Sequence, residues 1–139
     1  MNPCEIELGV AGYLESVITI PANTQFLEAV NADTMDLEKQ AVVARAENVE
    51  YRGATSFVAT LEVAVRSPAT VFTRANHSDL VKKVTTALQN EGAFVAAFNS
   101  ATTGMDLLGV APVNYRAPEF DNRAWVNVIS VDCGILQTS

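Results

Sequence analysis

The reactive side chains in this 139-residue sequence are few: one histidine, His77, and two cysteines, Cys4 and Cys133. Histidine is the side chain whose ordinary pKa lies near neutrality, so His77 is the one ready general base. Its spacing to Leu80, Val81 and Val84 sets it on the apolar face of a helix expected to begin at Asn76-His77-Ser78-Asp79. A lone histidine there is expected to pack or cap, with a role at a subunit contact or in catalysis as the alternatives. Nucleophilic catalysis would also need a serine or cysteine in a recognisable setting. No Gly-x-Ser-x-Gly elbow occurs, and neither cysteine has the local features of a catalytic thiol. The two cysteines lie near opposite ends and read as free, buried thiols, a disulfide between them being the other possibility. With no Cys-x-x-Cys pair and one histidine, the usual zinc sets are excluded. Asp33, Asp36 and Glu38 are loosely spaced oxygen donors without the glycine and closing glutamate of a calcium loop, and read as solvated loop charges. The segment from Gly104 to Gly109 lacks the Lys and Ser/Thr that grip phosphate and magnesium. The expectation is a protein with no catalytic set, no cofactor and no metal.

Composition points toward contact between proteins. The hydrophobic fraction is 49% and the charged fraction 18%, against about 25% charge in an average soluble domain. Many of the apolar residues are small alanines and valines, so part of the surface is expected to be covered by other subunits. The net charge of −7 and pI near 4.5 argue against clamping a phosphate backbone, which takes clustered Lys and Arg. Lys82-Lys83 is the one adjacent basic pair. No basic, apolar leader opens the sequence and no apolar run approaches a membrane span, so a cytoplasmic site of synthesis is expected and membrane association is not.

The elements that would position these residues can be read in order. Asn2 is a favoured helix cap, Pro3 suits the first turn and Glu5 stands where a capping box places its carboxylate. Ile6, Val10, Tyr13, Leu14 and Val17 then share one helical face. Gly9 and Gly12 weaken this helix or permit close approach of another backbone. Residues 21–40 read as a long loop or assembly arm with one short strand, containing the apolar patch Phe26-Leu27 and the acids Asp33 and Asp36. Gln40 to Tyr51 reads as a strand, followed by a turn at Arg52-Gly53-Ala54. In the next strand Phe57, Ala59, Leu61, Val63 and Val65 alternate with Val58, Thr60, Glu62, Ala64 and Arg66, up to Ser67-Pro68, and the pair forms an antiparallel hairpin. The second helix carries Leu80, Val81, Val84, Ala87 and Leu88 on one face, with Gly92 as its stop. A short helix with Phe94, Val95 and Phe98 follows, then a loop from Ser100 to Gly104. Leu107–Tyr115, marred by Gly109 and Pro112, reads as an edge strand. Arg123 to Ile135 is a long strand with Trp125, Ile129, Val131, Cys133 and Ile135 on one side and Asn127 as the polar exception. Trp125 is expected either as a core anchor or as an interface residue. Helices grouped against an antiparallel or mixed sheet of four to five strands make an α+β layer fold in one domain, residues 1–139.

The N-terminal helix, the strand from Tyr51 to Arg66 closed by Ser67-Pro68, the His77-x-x-Leu80 helix start and the late Asp121-Asn-Arg-Ala-Trp125 strand occur together. This combination resembles the small tail-terminator and neck (head–tail joining) proteins of tailed bacteriophages. The likeness covers residues 3–136 in layout and 51–90 and 121–135 in letters. It implies a structural virion protein whose copies form a ring, commonly a hexamer, at the head-proximal end of the tail. Such a ring ends the tail tube, docks on a neck stopper or connector protein, and lets DNA pass through its lumen without specific binding. Under the resemblance His77 and Trp125 are structural. Phe26, Leu27, Asp33, Asp36 and Trp125 are the candidate interface residues. The alternatives are another neck protein, a stopper or adaptor, or a small non-catalytic domain that binds one partner through residues 21–40.

Overall fold

The structure, a computed structural model, describes residues 3–18, 24–29, 35–115, 119–121 and 123–138. Helix α1 (Pro3–Val17) is followed by strand β1 (Thr24–Glu28) and the hairpin β2 (Gln40–Tyr51) and β3 (Ser56–Pro68). Helices α2 (Arg74–Gln89) and α3 (Glu91–Ala101) come next, then β4 (Met105–Val110), β5 (Asn114–Tyr115), β6 (Glu119–Asp121) and β7 (Ala124–Gln137). The strands form one mixed sheet in the order β1-β2-β3-β7-β4, with β5 and β6 also paired to β7. The fold is therefore α+β.

The alternation in β3 explains how the layers form. Phe57, Ala59, Leu61, Val63 and Val65 are all buried, whereas Val58, Thr60, Glu62, Ala64 and Arg66 are half-exposed. The three helices pack on one another and on the buried side of the sheet. Among the described residues, the other side of the central strands carries no helix. Strands β4, β5 and β6 run in turn along the far edge of β7, pairing Leu107 with Ile135, Tyr115 with Ile129 and Phe120 with Trp125. The single edge strand expected over Leu107–Tyr115 is two, β4 and β5, the register shifting at Gly109 and Pro112 lying between them, and β6 is a further short strand that was not expected. Between Asp121 and Ala124 the hairpin turns with Arg123 at φ 59°, in the left-handed region.

Strand β1 was expected only as a short strand within a loop; it pairs parallel to β2, Phe26 beside Val42 and Leu27 beside Val43. Parallel neighbours cannot be joined by the tight turn of a hairpin. Gln25 fastens the segment just before β2, its Oε1 accepting from Asp36 N–H at 2.9 Å and its Nε2 donating to Asp36 O at 2.7 Å.

Several local expectations need correction. In α1, Ile6, Val10, Tyr13 and Leu14 are buried but Val17 is 44% exposed, because Ile18, the next residue, takes the core-facing place at the end of the helix. The expected cap Asn2 lies outside the described residues. Glu5 accepts from Thr103 N–H at 2.8 Å, tying α1 to the turn before β4. Helix α2 starts two residues earlier than expected, because Thr73 and Asn76 form a reciprocal capping box. Gly92 does not stop α2: Asn90 ends it and immediately begins α3, which contains Gly92 and runs through Ser100. Cys4 is exposed rather than buried, whereas Cys133 is buried, and no disulfide joins them.

The two α1 glycines differ. A Cβ on Gly9 would lie 3.1 Å from the Phe98 ring and from Thr102 Cγ2, so Gly9 allows α1 and α3 to approach. At Gly12 nothing lies within 4 Å. Gly12→Ala is therefore expected to raise the unfolding free energy by about 0.5–1 kcal/mol, and Gly9→Ala to lower it. Chemical denaturation of the two variants checks the opposite signs.

Candidate assembly surface

The chemistry-bearing residue His77 sits in a sealed polar network rather than in a cleft. It stands one turn into α2, on the face that meets β3 and β7, and is 1% exposed. Its Nδ1 lies 2.8 Å from Ser67 Oγ and its Nε2 2.7 Å from Asn127 Oδ1. Gln40 Nε2 donates to Ser67 Oγ at 3.0 Å. The proton order follows from the ends. The Asn127 oxygen can only accept, so Nε2 carries the ring hydrogen; Nδ1 is then an acceptor for the Ser67 hydroxyl, which in turn accepts from Gln40. The chain of bonds joins β2, β3, α2 and β7 with His77 neutral.

Two polar interruptions of otherwise apolar strand faces make this possible. Val65 pairs with Asn127 and Ser67 with Trp125, so Ser67 and Asn127 occupy neighbouring rows of the helix-covered face. Sequence reasoning set Asn127 aside as an exception and read Ser67 as the end of a strand. The signal that could have joined them was present: two polar residues at inward positions of adjacent strands, and one histidine on an apolar helix face. With Ser67 0% and His77 1% exposed, this trio orders the core and offers no open nucleophile.

Burial pushes the His77 pKa below its ordinary 6.5, against a smaller upward pull from the Asn127 hydrogen bond. The unfolded chain thus takes up a proton at a higher pH than the folded one. Stability from this group is complete above about pH 6.5 and falls as the pH drops from there toward the lowered folded value. Denaturation midpoints measured between pH 7.5 and 5 are expected to fall more steeply for the wild type than for His77→Gln. Equal slopes would contradict the assignment. Elsewhere burial pushes the Cys133 thiol up to about 12, with Asp132 adding to the shift, which leaves it a packing group. Among the described residues no group of three or more His, Cys, Asp or Glu is placed to hold a metal ion. Likewise no described helix is long and apolar enough to cross a membrane.

The candidate interface residues gather toward one end of the sheet. Phe26 and Leu27 are half-buried on β1, Phe26 against the helix-side core and Leu27, by its pairing with Val43, on the helix-free side. Asp36 is exposed beside them, and its Oδ1 accepts from Glu38 N–H at 3.0 Å. Asp33 lies outside the described residues. Trp125 begins β7 at the same end of the strands, three strand spacings from β1, roughly 14 Å. It is half-exposed, with the Phe120 ring edge-on at 4.9 Å and the Arg74 guanidinium 5.8 Å above it. Phe120 is 59% and the nearby Val71 60% exposed. The structure thus makes Trp125 the base of an aromatic knob, neither wholly core nor wholly free. Tryptophan and arginine in such a setting are the residue types that dominate binding hot spots.

The helix-free side of the sheet supplies a second surface. The pairings Leu27–Val43, Val43–Ala64 and Ala64–Val128 set four apolar residues in one row across β1, β2, β3 and β7. All four are half-exposed. Val126 borders this row on β7, while Arg45, Glu62 and Ser130 form a polar row on its other side. An apolar stripe flanked by polar residues is the pattern of a surface that meets another protein.

No protein-family model matches this sequence, and no curated protein matches it.

Proposed function

We propose that this chain is a structural subunit of a tailed-phage neck, building the ring that ends the tail tube and joins it to the connector, with no catalytic step of its own. The observation that carries the reading is the helix-free face of the sheet with its apolar row Leu27, Val43, Ala64 and Val128. A sheet that buries one face and leaves such a row on the other is built to be covered by a neighbour. The sealed His77 network supports a non-catalytic role, since the one general base serves packing. The net charge of −7 suits a ring through which DNA slides without sticking, because like charge disfavours lasting contact with the phosphates. The proposed partners are further copies of this chain in a ring, commonly six, the tail-tube protein on one side and a neck stopper or connector on the other. The proposed place of action is the virion.

The test is assembly without the subunit. Particles made in cells lacking this protein are expected to appear by electron microscopy as filled heads and separate tails, with joining restored when the protein is supplied. Normal joined particles in its absence would overturn the proposal.

A further inference from the structure

The buried His77 network adjoins the aromatic knob. Ser67 and Trp125 are register partners on β3 and β7, so their side chains are cross-strand neighbours on the helix-covered face. Asn127 follows two residues along β7 on that same face. Arg74, whose guanidinium stands 5.8 Å from the centre of the Trp125 ring, precedes His77 by about one turn of α2. Both hydrogen-bond partners of the histidine therefore neighbour the tryptophan, and the first turn of α2 bridges network and knob. That turn is pinned on its inner side by the His77 ring and on its outer side by the exposed capping box of Thr73 and Asn76.

The network accommodates one charge state of the ring. With His77 neutral, each hydrogen has an acceptor: Nε2–H on Asn127 Oδ1, the Ser67 hydroxyl on Nδ1, and Gln40 Nε2–H on Ser67 Oγ. A proton added at Nδ1 would face Ser67 Oγ and deprive the Ser67 hydroxyl of its acceptor, and these contacts offer that hydrogen no other. Among the described residues no counter-charge faces the ring either. Gln40 of β2, Ser67 of β3 and Asn127 of β7 are all neutral. On α2 itself Arg74 is engaged on Trp125, and Asp79 is paired with Lys83 at 3.2 Å on the exposed side. Burial lowers the affinity of the ring for a proton, and no charged group contributes to that shift. A cation held 1% exposed without a carboxylate is unfavourable, whereas the same ring in water charges readily below about pH 6.5. We propose that the His77 network is an acid-sensitive latch on the assembly surface. Protonation frees the first turn of α2 from β3 and β7, and with it the hold of Arg74 on Trp125 and Phe120. Because the opened form binds the proton more tightly, opening gains up to about tenfold per pH unit below 6.5, until the folded ring titrates as well. The latch goes beyond the ring reading and stands without it. Its consequence, that acid loosens the subunit contact at Trp125, rests on that reading.

Trp125 is the single tryptophan of the chain, so its fluorescence reads the latch directly. Acrylamide quenching of Trp125 and amide hydrogen exchange, corrected for the intrinsic pH dependence of exchange, are followed on the full chain from pH 7 to 5. Exchange over residues 76–80 is expected to rise about tenfold and quenching to rise with it, while residues 94–98 of α3 stay protected. His77→Gln, which takes up no proton, and Asn127→Asp, which gives the charged ring a carboxylate, should each flatten the response. No rise in the wild type, a rise shared equally by α3, or an undiminished rise in either variant would overturn the latch. If a variant fails to fold, the contrast between α2 and α3 in the wild type decides by itself. A wild-type chain that opens as expected yet stays monomeric and outside tails would overturn the ring reading and leave the latch standing.

Discussion

Replacing His77 with alanine is expected to lower the unfolding free energy by about 3–5 kcal/mol, a large part of the 5–15 kcal/mol typical of a domain. The substitution leaves a cavity under α2 and removes the 2.8 and 2.7 Å bonds that the buried Ser67 and Asn127 make to the ring. Each buried hydrogen bond lost costs about 1–3 kcal/mol and the void adds to that. The network explanation also predicts a recovery. Ser67→Ala, His77→Leu and Asn127→Leu together remove the histidine-centred bonds with both of their ends and should return part of the loss, because matched apolar replacement of partners is close to neutral. The remaining cost is that of Gln40 Nε2, which loses its bond to Ser67. Urea denaturation of the single and triple variants checks both. If the triple variant is as unstable as the sum of its parts, the three residues do not act as a unit.

Val128→Glu is expected to separate folding from assembly. Val128 closes the apolar row on the helix-free side, opposite Ala64, and is half-exposed in the subunit. A carboxylate there reaches water in the isolated chain, so the unfolding free energy should change by less than about 1 kcal/mol. Covered by a neighbouring subunit, the same carboxylate would be buried without a partner, which costs about 2 kcal/mol or more and weakens the contact at least tenfold. Incorporation into tails should fall accordingly, whereas Glu62→Gln in the adjacent polar row should be tolerated. Unchanged incorporation of Val128→Glu would remove the helix-free face from the interface.

These expectations depend on parts of the fold that the sequence displayed unevenly. Strand β3 was legible because five apolar residues alternate with a mixed set, a pattern one buried face imposes. The α2 face around Leu80, Val84 and Leu88 was legible for the same reason with helical spacing. Strand β1 was less so: Thr24–Glu28 is intermediate in burial at every position, so no period marks its faces, and its parallel partner is chosen by long-range register. The start of α2 was misplaced because Asn76 looks like a cap in isolation; only with Thr73 in view does it become the third residue of a capping box. Gly92 looked like a stop, yet Asn90 N–H donates to Ala87 O and the backbone turns there instead. Trp125, read as either a core anchor or an interface residue, is half-exposed at the start of β7. Ser67 and Asn127 escaped notice as a pair because their meeting depends on the β3–β7 register, which local sequence does not encode.

The central claim is that the chain works as one subunit of a closed ring. The mass of the purified protein, measured in solution across a range of concentrations and again in complexes released from tails, tests it most directly. The account predicts a single discrete multiple of the 14.9 kDa subunit, the same in both sources. A strict monomer at every concentration, absent from tails, would contradict it.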